Sequence, residues 1–113
     1  MSSSLGILKP TGVLDAHTGK QLYQQVQEAL KQNVRAILID CSDLGFIDSS
    51  GLGVLVRILK TLESVGVQLA FCSVNDQFQT LLTLTDMEDV FSVFATPVHF
   101  KLAFASNTVH NRL

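Results

Sequence analysis

The sequence predicts an α/β fold, a mostly parallel four-stranded sheet carrying about four helices. Three observations lead there. Strand and helix patterns alternate in the order β-α-β-α-β-α-β-α, which implies parallel strands joined by right-handed crossovers. Residues 36–39 are continuously apolar, as expected for a strand covered on both faces. The chain has 113 residues, 47% hydrophobic and only 16% charged, which suits a single domain over 1–113 with its core between about residues 5 and 105.

The first strand signal covers residues 5–9, and Pro10, Thr11 and Gly12 end it with turn chemistry. Asp15 or Thr18 offers an N-cap for a helix running to about Gln32. Leu22, Val26, Ala29 and Leu30 recur there at helical spacing, with Tyr23 at the edge of the face. Residues 34–41 form the buried strand. Residues 42–45 read as a loop, and Phe46-Ile47 as the return of the chain toward the interior. Ser49 or Ser50 starts the second helix, whose Leu52, Leu55, Val56, Leu59 and Leu62 make one apolar face and which Gly66 ends. Residues 67–74 are the next strand. Asn75 or Asp76 caps a third helix with Phe78, Leu81 and Leu82, broken at residues 85–87. A short strand at 91–94 follows. Thr96-Pro97 opens the last helix, with proline at its favoured first position and Val98, Leu102 and Phe104 as its apolar residues. The polar tail, residues 106–113, is expected to fray.

Composition excludes several classes. Net charge is −2 and no block of Lys or Arg appears, so the footprint for direct nucleic-acid binding is missing. The start MSSSLGILKP has no basic region followed by an apolar run, and no apolar stretch reaches the length of a membrane span. The expectation is a cytoplasmic protein with no membrane association. Cys41 and Cys72 end apolar runs and read as small buried hydrophobes; a disulfide would require those strand ends to be neighbours.

The densest chemistry lies in Asp48-Ser49-Ser50-Gly51-Leu52-Gly53, between a strand and a helix. Unpaired backbone N–H groups make a helix N-terminus positive, so an anion on a serine there is tolerated. Simple N-capping by Asp or Ser also accounts for the polar residues. The glycines tilt the balance, since each weakens a helix by about 0.5–1 kcal/mol relative to alanine. Either another backbone approaches closely, or the helix packs tightly on its own sheet. Nucleotide and catalytic motifs fail on missing residues. Val54-Leu55-Val56 follows Gly53 where a dinucleotide fingerprint needs a third glycine, and Gly19-Lys20 lacks the rest of a P-loop. Ile47 stands where a nucleophile elbow needs glycine, which weakens a hydrolase built on Ser49 and His17. His99 and His110 lack metal-ligand spacing. Asp15, Asp40 and Asp43 sit at strand ends as in a phospho-accepting receiver, but the last strand carries no lysine.

At these residues the chain resembles the STAS domain family, in particular the bacterial anti-sigma factor antagonists. Residues 46–54, FIDSSGLGV, match the family's D-S-S-G-L-G turn without a gap, and residues 11–18, TGVLDAHT, are similar to its T-G-x-L-D-x-x-T segment. The resemblance implies that Ser49 is a phospho-acceptor, with Ser50 as runner-up acceptor and helix cap. It implies a partner-binding surface of Asp15, Thr18, Asp48, Ser49, Ser50, Gly51, Leu52 and Gly53, with no catalytic residue, metal or cofactor. The implied partners are an ATP-dependent anti-sigma factor serine kinase, bound when Ser49 is unmodified, and a metal-dependent serine phosphatase. The outcome would be regulated sigma-factor-dependent transcription. The alternative is a phosphorylation-independent STAS scaffold or lipid-transport accessory. Family members commonly begin with a hairpin, and only about ten residues precede Thr11 here. One edge strand is therefore expected to be absent, leaving an edge open to homodimer pairing.

Overall fold

The computed structural model describes residues 4–111, with side chains through residue 105. In chain order the elements are β1 (Leu5–Leu8), β2 (Gly12–Leu14), α1 (Ala16–Leu30), β3 (Ala36–Asp40), β4 (Leu44–Ile47), α2 (Ser49–Ser64), β5 (Gln68–Cys72), α3 (Asp76–Leu84), β6 (Val93–Phe94) and α4 (Pro97–Asn111). The main sheet has the order β1-β3-β5-β6, and its pairings are all parallel. The expected α/β architecture with four helices is present, and β1 forms one edge of the sheet.

Each crossover steps the same way along the sheet, so α1, α2 and α3 share one face. Strand side chains alternate between faces. Ile37 and Ile39 of β3, with Leu69 and Phe71 of β5, therefore meet Leu22, Val26, Leu55, Ile58, Leu62, Phe78 and Leu82 in the larger core. The helices α1 and α2 are themselves interlocked. A Cβ added to Gly19 would lie 2.8 Å from Val54 Cγ2, so only glycine lets Val54 seat there. Farther along, the Tyr23 hydroxyl meets Thr61 Oγ1 at 2.9 Å and the Arg57 guanidinium lies 4.3 Å over the Tyr23 ring.

Among the described residues, helix α4 alone covers the opposite face. Ala36 and Ala70 leave room on the sheet for the Phe100 ring, which is fully buried and packs edge-on against Phe94 at 5.3 Å. Phe104 stacks on Phe100 at 5.7 Å. Sequence reading placed Val98 and Leu102 on the apolar face with Phe104. The structure turns those two outward, 62% and 66% exposed, because the aromatic pair buries more apolar surface against the small sheet residues. The tail expected to fray continues α4 as far as Asn111, and residues 112–113 lie outside the described residues.

Cys41 and Cys72 are neighbours in backbone, Cys41 N donating to Cys72 O at 2.9 Å, yet both are free. Their side chains belong to the two cores on opposite faces, so adjacency of the strand ends does not bring the thiols together. Burial pushes the Cys41 thiol up to about 12 and raises Cys72 as well.

Two short strands depart from the sequence reading. Gly12, the end of the expected turn, opens β2 with Val13 and Leu14, and residues 44–47, divided between the expected loop through Gly45 and the return at Phe46-Ile47, are β4. They pair in parallel as a separate two-stranded ribbon, with Val13 opposite Phe46 and Leu14 opposite Ile47.

Candidate functional site

The ribbon positions the site. Leu14 and Ile47 are paired and both buried, and each is followed at once by an aspartate that caps a helix. Asp15 caps α1 and Asp48 caps α2, so two helix N-termini emerge side by side. The Asp48 N–H donates to the Leu14 carbonyl at 3.1 Å, which ties the two together. Asp15, Thr18 and residues 48–53, separated by some thirty positions in the chain, thus sit at adjoining helix starts.

Around Asp15 the cap is a reciprocal box. Asp15 Oδ1 accepts from the N–H groups of His17 and Thr18 at 3.0 Å each, and the Asp15 N–H donates to Thr18 Oγ1 at 2.9 Å. The Thr18 hydroxyl in turn donates to the Val13 carbonyl at 2.7 Å. The Thr18 N–H, followed by the Thr18 hydroxyl, holds the Asp15 carboxyl below its ordinary value. Thr18 therefore serves the cap and the ribbon at once.

The second helix starts at Ser49, one of the two serines expected to start it, but its N-terminus corrects the expectation that Ser50 is the cap. The cap is Asp48: its backbone is extended, with φ −99° and ψ 179°, and its Oδ1 accepts the Gly51 N–H at 2.8 Å. Ser49 and Ser50 are the first two helical residues. Both are exposed, and neither hydroxyl has a hydrogen-bond partner among the described residues. With Asp48 doing the capping, both serines are released from structural duty.

The two glycines separate cleanly. A Cβ on Gly51 would overlap the Leu14 carbonyl oxygen and sit 2.8 Å from its carbon and 3.2 Å from Ile47 Cγ1. Gly51 is buried and lets α2 lie directly on the ribbon. Gly53 is exposed, and a Cβ there would meet nothing within 4 Å. Internal packing explains the first glycine and not the second. Leu52, between them, is 4% exposed and belongs to the core rather than to a surface.

Four further residues shape the site without having been singled out for it. Asn75, read only as a cap, does cap α3 through Phe78 N at 2.9 Å, but its amide also donates to the Leu44 and Gly45 carbonyls at 3.2 and 3.0 Å. Gln77 holds Ile47 from both sides, accepting its N–H at 2.9 Å and donating to its carbonyl at 2.7 Å. These amides stand in for a neighbouring strand along the outer edge of β4. Val13 and Phe46, side by side on the ribbon's outer face, are 48% and 46% exposed. Phe46, expected to turn inward, faces out: the register between the two strands shifts past Gly45, so Leu44 and Ile47 are both buried while Phe46 is exposed. Strict alternation across 44–47 would have put Phe46 on the buried side with Leu44, so the one local signal was Gly45, where the register shifts.

Among the described residues no cluster of His, Cys, Asp and Glu could hold a metal, and no helix is long and apolar enough to cross a membrane. The sequence model of the STAS domain family matches residues 2–99. The anti-sigma F factor antagonist of Paenibacillus polymyxa is 30% identical over 94 residues, covering 82% of this chain and 80% of that protein. A Thermotoga maritima protein provisionally described as an anti-sigma factor antagonist superposes with a TM-score of 0.81 at 27% identity, over 91% of this chain and 89% of that one. SpoIIAA shares the fold at 20% identity. Its unphosphorylated form superposes with a TM-score of 0.71, over 98% of this chain and 92% of that one. Its phosphorylated form, from Bacillus, gives 0.62 over 84% and 86%.

Proposed function

From the premise that the chain belongs to the STAS domain family, we propose that it is a phosphorylation-switched anti-sigma factor antagonist of the cytoplasm. Unmodified, it binds an anti-sigma factor that is also a serine kinase, and so frees a sigma factor. Phosphate on Ser49 ends that binding, and a metal-dependent serine phosphatase restores it. The antagonist relatives support the class, and SpoIIAA, known in a phosphorylated form, supports the switch.

One observation carries the reading: at the start of α2 the Ser49 hydroxyl is exposed and unbonded, beside a glycine that the chain's own packing does not require. The chemistry follows. Ser49 Oγ attacks the terminal phosphorus of ATP, the bond to the bridging oxygen breaks, ADP leaves, and the hydroxyl proton passes to a base of the kinase. This chain supplies only the acceptor. The modification adds about −1.5 to −2 charges. The free N–H groups of Ser49 and Ser50 and the positive helix end accommodate that charge, so the fold is retained. The docked kinase does not accommodate it, because transfer requires its nucleotide phosphates to face Ser49. The new dianion then confronts another anion at short range.

The test uses the serine-kinase anti-sigma factors of the source organism, each purified and incubated with this chain and ATP. Mass spectrometry is expected to place phosphate on Ser49. Ser49→Ala is expected to bind and take no label, whereas label retained on it moves the acceptor to Ser50. Ser49→Asp is expected to bind at least about tenfold more weakly, or about 1.4 kcal/mol, with an unchanged thermal midpoint. Absence of both binding and label with every such kinase refutes the reading.

A further inference from the structure

We infer that Val13 and Phe46 form the apolar anchor of the docking surface, and that the partner meets them with an apolar pocket ringed by Lys and Arg. This rests on the antagonist reading and adds the contact that would supply affinity. Ser49 itself cannot supply it: a lone exposed hydroxyl contributes little to binding, and binding energy in interfaces concentrates in a few large side chains at the centre.

Val13 and Phe46 are opposite each other in a parallel register, so their side chains stand on one face. Both are about half exposed, while the next pair, Leu14 and Ile47, is 1% exposed on each side. No described helix covers the outer face of the ribbon. The backbone beneath is unusually well pinned for two strands of three and four residues. Thr18 holds the Val13 carbonyl, Asp48 N–H holds the Leu14 carbonyl, Asn75 holds Leu44 and Gly45, and Gln77 holds Ile47. An apolar pair on so fixed a base is already in its binding geometry, which reduces the ordering cost of association.

The surroundings give the partner its charge. Asp15 and Asp48 follow the ribbon's two strands directly. Asp43 precedes β4 and accepts Gly12 N–H at its carbonyl, and Asp76 follows the Asn75 that clamps Gly45. Lys9 faces Asp43 at 3.6 Å and offsets one of the four. An apolar centre within an acidic rim is complementary to an apolar pocket within a basic one. Phe46 lies three residues before Ser49 on the same strand-to-helix segment, so anchoring the ring presents the acceptor hydroxyl to the kinase.

Calorimetric titration of the same purified kinases tests this. Phe46→Ala is expected to weaken binding by at least about tenfold, Val13→Ser by less, and Phe46→Leu, which keeps the apolar bulk, by far less than Phe46→Ala. Asp43→Lys with Asp76→Lys is expected to weaken binding and to flatten its decline with added salt. If the wild type binds and Phe46→Ala binds equally well, the anchor is refuted and the antagonist reading stands. A wild-type affinity independent of salt refutes the basic ring. Failure of the wild type to bind any of the kinases overturns both. Thermal unfolding of each variant accompanies its titration; should Phe46→Ala lose stability, the Phe46→Leu and charge-reversal comparisons carry the decision.

Discussion

Replacing each motif glycine by alanine should move stability in opposite directions. At Gly51 the added Cβ would overlap the Leu14 carbonyl oxygen and crowd its carbon at 2.8 Å. That carbonyl is fixed by the Asp48 N–H, so neither the strand nor the helix start can retreat without breaking a hydrogen bond. Overpacking costs about 1–3 kcal/mol in general, and backbone that cannot yield puts this site at the upper end. The gain in helix propensity from removing glycine is at most about 1 kcal/mol and is reduced in a first turn. The net expectation for Gly51→Ala is a loss of about 2–3 kcal/mol. At Gly53 the Cβ meets nothing, so only the propensity gain of about 0.5–1 kcal/mol remains. The two variants should differ by about 3 kcal/mol, roughly 12 °C in thermal midpoint for a chain of this size. Urea and thermal unfolding followed by circular dichroism read this directly. Shifts of the same sign, or a Gly51→Ala midpoint close to wild type, would refute the close-approach argument. Gly53→Ala should also lose partner affinity despite its greater stability, because the cleared space lies outside the molecule.

Two further outcomes test the supports of the site. Gln77→Ala leaves the buried Ile47 with an unpaired N–H and carbonyl, a cost of about 2 kcal/mol, and amide exchange at Ile47 should accelerate by more than at β3 or β5; unchanged exchange would mean the clamp holds nothing. Asp15, held below its ordinary value of 3.8, stabilises the fold fully above that value, and the contribution is lost as pH falls through the lower folded value. Asp15→Asn keeps a good cap without a titrating group, so its unfolding midpoint should fall less than wild type on acidification below 3.8, and superimposable pH profiles would contradict the assignment.

Much of the architecture was legible because long segments repeat one signal. The apolar run of β3 and the helical spacing in α1 and α2 each draw on many residues. The ribbon was not legible. Three residues in β2 and four in β4 are too few to show alternation, and Pro10-Thr11-Gly12 and Gly45 give turn signals that outweigh it locally. In α4, Val98 and Leu102 are as apolar as their inward neighbours, and only the small residues Ala36 and Ala70, on distant strands, select Phe100. At the site, the motif gave the place and not the division of labour. Asp48, Ser49 and Ser50 are all good caps, and Gly51 and Gly53 are identical letters with different surroundings. Gln77 reaches Ile47 across thirty positions, a distance at which local pattern carries no information.

The seating of Val54 on Gly19 has a consequence for how a signal leaves this molecule. It locks α2 against α1 only a few residues past both caps, and the ribbon joins their starts, so the surface around Ser49 belongs to one stiff block. A lever needs a part that yields, and none is evident in that block. A phosphate placed there would be read as a change of contour by whatever touches it. The speed of the response would then be set by encounters and departures of partners, and distant parts of this domain would carry no news of the event. Filling the seat while slimming the knob, with Gly19→Ala and Val54→Ala together, should preserve that silence; unlocking it with Val54→Ala alone should let chemical-shift changes from Ser49 phosphorylation spread into α1.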